Sequence, residues 1–228
     1  MKENKELTSN ENYFKKGDTL KYVAIGIAGG SALLCFTGLG YFAFILMAMG
    51  LCVAAVIFII STIGRSTEAD IDEYVKKHIG KVEYKPDNEK AFEKRLLKTP
   101  AICVAEGYDL SDGLLYKKSK TGLIRSTKYS KAVIYPMDTA LCICRRRISL
   151  VTEERDNAQT EIPYSSISSF EVKTEEKLLP AGKEPIKAKE TRIVLKKQDG
   201  TTLSLIAQDS ILIDEFVKRI NEKIRSAS

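Results

Sequence analysis

The chain contains no tryptophan, only one histidine, and no Asp, Glu, Lys, Arg or His between Tyr22 and Gly64. Each absence excludes something. With His78 alone, neither a histidine-based metal cluster nor a serine–histidine–aspartate triad can be assembled. No Walker loop or dinucleotide-type glycine pattern follows a strand, and no CxxC occurs among the five cysteines. Lys120–Gly122 reads KTG, one element of penicillin-binding enzymes, but its Ser-x-x-Lys and SDN partners are missing. The acidic pairs Glu153–Glu154 and Glu175–Glu176 lie in turn-like segments where solvation accounts for them. The sequence points away from an enzyme and calls for no cofactor and no metal.

The missing charge is also the strongest positive signal. Forty-three uncharged residues would make a helix of about 65 Å, roughly twice the ~30 Å hydrocarbon core of a bilayer. The run is interrupted at FTGLGYFA, residues 36–43. Gly38 and Gly40 each lower helix propensity there by ~1 kcal/mol, and Tyr41 suits the headgroup level. The reading is a transmembrane helical hairpin over 20–63, with spans 20–37 and 42–63, behind an N-terminal tail, 1–19. A buried hairpin of a soluble protein calls for shorter apolar runs. A cleaved signal peptide would need its basic region to be a long segment carrying four acids.

Lys15, Lys16 and Lys21 precede the run, and Arg65, Lys76, Lys77 and Lys81 follow it. The positive-inside rule then places both termini in the cytoplasm, giving a multi-pass protein of the plasma membrane. Cys35 and Cys52 fall inside the spans, and Cys103, Cys142 and Cys144 on expected strands, which suits free thiols in a reducing compartment. Gly26 with Gly30, and Gly50 with Ala54, have close-packing spacing. They serve either contact between the two helices of the hairpin, the preferred reading, or a homo-oligomer face.

Beyond Arg65 the composition becomes highly charged. Residues 64–99 read as a juxtamembrane helical linker: Thr67 and Asp70 have capping-box spacing, and Ile71, Val75 and Ile79 recur every fourth residue. A second helical piece over 88–98 ends before Pro100. From residue 100 the texture is that of short strands. ERDNAQ, 154–159, has turn chemistry, and 175–190, with Pro180 and Pro185, reads as a charged loop. TRIVLKK and TTLSLIA alternate around Asp199-Gly200 as a hairpin, with Ile193, Leu195, Leu203 and Leu205 on one face. The chain closes with an amphipathic helix capped by Asp209 or Ser210. Its stripe is Leu212, Phe216, Ile220 and Ile224, widened by Ile213 and Val217.

About seven antiparallel strands, the element EIPYSSISSFEV and one terminal helix make residues 100–228 resemble a bacterial PH-like domain, related in pattern to GRAM domains. The family's polar-Ile-Pro-Tyr-x-x-Ile-x-x-apolar element is carried here by Ile162, Pro163, Tyr164, Ile167 and Phe170. The resemblance implies an α+β fold: a β-barrel or sandwich closed at one end by the C-terminal helix. Many eukaryotic PH domains carry a tryptophan in that helix; Phe216 stands in its place. In PH-like folds, loops at the open end bind anionic headgroups, which makes the basic residues candidates. Lys117, Lys118, Lys120, Arg125, Lys128 and Lys131 face only Asp109 and Asp112 within 107–131, and Arg145 and Arg147 share one strand face. A solvated basic surface is the preferred reading of both features.

The net charge of +6 is too small and too dispersed for nucleic-acid binding. The chain is thus expected to be a non-catalytic integral membrane protein. Its cytoplasmic PH-like domain binds a protein partner or anionic lipid headgroups. The alternative is a structural subunit assembling through its transmembrane hairpin.

Overall fold

The computed structural model describes residues 2–15, 19–33, 36, 40–86, 88–119, 121–180, 185–207 and 211–227. The chain forms two compact units, Met1–Thr67 and Glu68–Ser228.

In the first unit the uncharged run is divided between α2 (Thr19–Leu33) and α3 (Tyr41–Thr62), behind a polar helix α1 (Lys2–Lys15). α3 is preceded by Gly40, whose φ of 56° lies in the left-handed region that strains any side chain. α2 and α3 pack along small residues: Ala24 and Ser31 on one, Ala43, Ala54 and Ser61 on the other, all buried. Gly50 lies so close to α2 that a Cβ there would run into Ser31 Oγ, whereas Gly26 and Gly30 would meet open space. The two hydroxyls are satisfied within their own helices, Ser31 Oγ donating to Ile27 O and Ser61 Oγ to Phe58 O, each at 2.7 Å.

Among the described residues, α3 is the one helix long and apolar enough to cross a membrane. The apolar stretch of α2, Leu20–Leu33, is shorter. The two comparable spans expected from the sequence therefore reduce to one of full length. Cys35, Gly38 and Leu39 lie outside the described residues.

The expected N-terminal tail is helical, and it grips the chain where α3 ends. Ser66 N–H donates to Ser9 O at 3.1 Å, Ser66 Oγ to Asn10 Oδ1 at 2.7 Å, and Asn12 Nδ2 to Gly64 O at 2.8 Å. The start of α2 and the end of α3 accordingly share one end of the hairpin.

The second unit opens with α4 (Glu68–Ile79) and α5 (Glu89–Arg95). Strands follow: β1 (Cys103–Tyr108), β2 (Tyr116–Lys118), β3 (Ile124–Ser126), β4 (Lys128–Pro136), β5 (Ala140–Ser149), β6 (Arg155–Pro163), β7 (Ile167–Leu179), β8 (Ile186–Lys197) and β9 (Thr202–Ala207). The last helix is α6 (Ile211–Ala227). The strands make an antiparallel sheet in the order β1-β4-β5-β6, a three-stranded sheet β7-β8-β9 and a small pair β2-β3. The fold is α+β, but no sheet closes on itself. The expected β-barrel or sandwich of about seven strands is, among the described residues, nine strands in three sheets, none of which closes into a barrel.

AVIYP and ALCIC lack polar alternation because β4 and β5 are buried on both faces. Inward, Ala132, Ile134, Leu141 and Ile143 meet the three-stranded sheet and α6 in one core. Outward, Val133, Tyr135, Cys142 and Cys144 are covered by Val82, Tyr84, Phe92 and Leu96. The segment expected as a linker thus belongs, from Glu68 on, to the second unit and forms its outer layer.

Ile162, Tyr164, Ile167 and Phe170 turn the chain from one sheet to the other through a 3₁₀ turn, Tyr164–Ser166, and all four are buried in the shared core. Tyr164 Oη donates to Met137 O at 3.0 Å, so the ring can be buried without an orphaned hydroxyl. α6 lies over this core through Ile213, Phe216, Val217, Ile220 and Ile224. Leu212, assigned to that stripe by its spacing, is 76% exposed instead. Asp209 and Ser210 lie outside the described residues.

Two segments differ from the sequence reading. Of ERDNAQ, expected as a turn, all but Glu154 lies within β6, whose polar residues are paired with β5 along its whole length. The expected charged loop over 175–190 shrinks, because β7 runs to Leu179 and β8 begins at Ile186; residues 181–184 lie outside the described residues.

The two large sheets come together at one corner, where a Cβ on Gly107 of β1 would sit 2.9 Å from Ile206 Cγ2 of β9. Gly107→Val is expected to destabilise the second unit by about 1–3 kcal/mol, the usual cost of overpacking. A lowered midpoint in the near-ultraviolet circular dichroism of the tyrosines would register it; an unchanged midpoint would show that the corner yields freely.

Candidate functional site

The basic residues singled out by the sequence are mostly committed inside the fold. Arg125, 4% exposed, reaches from β3 to α4 and grips Asp72 with two nitrogens, Nε to Oδ1 at 3.1 Å and Nη2 to Oδ2 at 2.8 Å. Its Nη1 lies 3.5 Å from Glu68. Lys128 pairs with Glu154 at 3.2 Å, and Lys131 meets its cross-strand neighbour Glu106 at 2.9 Å. Arg145 pairs with Asp156 at 3.0 Å.

Arg147 shares the face of Arg145, and burial together with that neighbouring charge holds its pKa below the usual guanidinium value. Lys117 stands opposite Arg125 in the β2–β3 pair, and Lys118 is exposed. Lys120 lies outside the described residues. Four of the eight candidates therefore meet carboxylates, and they do not converge on one anion-binding cluster.

A charged network the sequence did not reveal surrounds Glu190, which is 4% exposed. Its carboxylate receives Arg192 Nη2 and the Leu110 N–H, each at 2.9 Å, and lies 2.5 Å from Lys177 Nζ. Arg192 extends the network to Asp109 at 3.0 Å. Burial pushes the Glu190 carboxyl up, but hydrogen bonds from Arg192, Lys177 and the Leu110 amide outweigh it and hold the carboxyl below its ordinary value. The network ties β7 and β8 to the loop after β1. Its members are far apart in the chain, so no local pattern announces it.

His78 stacks on Tyr74, with Nδ1 2.9 Å from Tyr74 O. Cys103, Cys142 and Cys144 are free and buried, and burial pushes the Cys103 thiol up to about 11. Among the described residues, no group of three His, Cys, Asp or Glu is placed to hold a metal ion.

The clearest surface feature is a groove of about 660 Å³ between the chain leading through β1 and the first turns of α6. Ile102, Cys103 and Val104 all line it, although successive strand residues point to opposite faces. Lining by both faces marks a strand met edge-on. β1 is an edge of its sheet and, among the described residues, pairs only with β4. Across the groove stand Leu212, Glu215, Phe216 and Arg219, one face of α6 by their spacing. Ile102 and Val104 are 45% and 47% exposed. Spacing alone could not single out this site, because it places Leu212 in the buried stripe of α6, whereas Leu212 is exposed.

The folded Glu190 carboxyl lies below its unfolded value. Its contribution is therefore complete above the ordinary carboxylate range, about pH 4–5, and is lost as pH falls through the folded value. Denaturation at decreasing pH should show this loss, and Glu190→Gln should flatten that part of the profile; an unaltered acid limb would contradict the network's role. Arg125→Ala is expected to cost about 3 kcal/mol and to speed amide exchange across Glu68–Ile79. Unchanged exchange there would mean that α4 is held by other contacts. Compared with models of protein families, with curated proteins and with solved structures, the chain finds no match.

Proposed function

We propose that the protein is a non-catalytic membrane protein whose second unit is a PH-like domain that captures an extended segment of a protein partner. The first unit serves as the anchor in this reading. α2 enters the plasma membrane from the cytoplasmic side, α3 carries the chain back across it, and Lys15, Lys21 and Arg65 keep both ends in the cytoplasm.

The observation that carries the partner-binding role is the groove at β1. It joins a strand edge that is unpaired among the described residues to exposed apolar side chains, Ile102, Val104 and Leu212. That combination suits strand addition, in which backbone hydrogen bonds give affinity and flanking pockets give selectivity. The internal pairing of Arg125, Lys128, Lys131 and Arg145 favours a protein partner over lipid headgroups, because these charges already have carboxylate partners. Tethering to a membrane raises the local concentration of other membrane components, so a groove of modest affinity suffices.

A second reading, assembly through the hairpin, draws support from Gly26, Gly29 and Gly30, which all look onto open space on α2.

A photoreactive amino acid placed at Leu212 of the full-length protein, in its native membrane, tests the first reading. A discrete protein adduct is expected, lost when Val104→Asp is added and absent with the probe at Glu153. Adducts of equal yield at both positions, or none at Leu212, would remove the groove as a partner site. A self-adduct from a probe at Gly30 would support the second reading.

A further inference from the structure

A larger cavity, about 940 Å³, lies between α4, the end of β1, the β2–β3 turn and the strands β8 and β9. Its volume falls in the ~300–1,000 Å³ range of small-molecule sites. Val75 and Ile79 of α4 line it together with Ile124 and Ile206, and the rings of Tyr108 and Tyr129 pack edge to face at 5.0 Å along one side. Leu123, 49% exposed, borders it.

The charges around this lining are not balanced. Its three carboxylates are already engaged: Asp72 by Arg125, Glu106 by Lys131, and Glu190 by Arg192 and Lys177. Lys76 of α4 and Lys187 of β8 also line the cavity, are exposed, and form no ion pair among the described residues. An apolar hollow is thus bordered by uncompensated positive charge from two separate elements.

We propose that this cavity binds a single-chain amphiphile with an anionic head, a long-chain carboxylate or a lysophospholipid. Its chain lies against Val75, Ile79 and Ile206, and its head lies near Lys76 and Lys187. Burial of the chain supplies the affinity, since apolar surface gains roughly in proportion to the area removed from water. The lysines select the head, as compact point charges that suit a carboxylate or phosphate without demanding a fixed fork geometry. A neutral alcohol lacks the charged half of this match, and a diacyl lipid brings a second chain. The site is separate from the β1 groove and does not depend on it.

The test uses the full-length protein in lipid nanodiscs with diazirine-bearing palmitate, diazirine-bearing lysophosphatidate and the uncharged diazirine-bearing hexadecanol. Labelled peptides are mapped by mass spectrometry. Both anionic probes are expected to label peptides containing Leu123, Ile124 or Ile206, and the stronger one identifies the preferred head. The Lys76→Gln/Lys187→Gln double variant should reduce that labelling by about tenfold, the combined effect of two exposed charge pairs, while Lys218→Gln leaves it unchanged. Labelling of α3 by probe dissolved in the bilayer gives the internal standard and bears on the anchor alone. The proposal is overturned if the cavity peptides stay unlabelled, if hexadecanol labels them equally, or if the double variant labels like the parent.

Discussion

Two open sheets share one apolar interior, and neither can bury its inner face without the other. The four-stranded sheet contributes Ile134, Leu141 and Ile143, the three-stranded sheet Ile193, Leu195 and Leu205, and α6 lies over the space they enclose. Everything else is arranged around that mutual dependence. Tyr164 and its neighbours carry the chain from one sheet to the other, and the approach of Gly107 to Ile206 sets how near the sheets come at their corner. Because the sheets stay open, the edge of β1 is left beside α6.

Electrostatics follows the same economy. A sequence with an excess of lysine and arginine invites a surface reading, yet the structure uses much of that charge to hold its layers together. Arg125 reaches α4, Arg146 Nη1 donates to Ile79 O at 2.8 Å at the end of the same helix, and Arg192 and Lys177 converge on Glu190. A buried arginine gripping a carboxylate with two nitrogens is fixed in place, and it is a poor donor to an incoming headgroup. Among the described residues, Lys76 of α4 and Lys187 of β8 are exposed and form no ion pair.

Features encoded by short-range periodicity were legible in the chain. The C-terminal helix, the β8–β9 hairpin with Ile193 opposite Leu205, and the break in the uncharged run all follow from spacing and glycine placement. Features that depend on distant partners were not. β6 is a strand because β5 lies beside it, despite a sequence of turn formers, which is tertiary context overriding propensity. Val82, Tyr84, Phe92 and Leu96 look like linker residues until the outer face they cover is known. The candidate sites illustrate the same limit: basic residues close in sequence were dispersed in space, while the groove joins residue 102 to residue 212.

The grip on α4 has a mechanical consequence. This helix is the first element of the second unit, so tension arriving along the backbone from the apolar helix reaches it before any strand. Arg125 and Arg146 hand that load to β3 and to the interior strand β5, and Tyr108 Oη, which donates to Asp72 Oδ1 at 3.4 Å, passes part of it to the end of β1. Pulling would therefore load these side-chain contacts before any strand ladder.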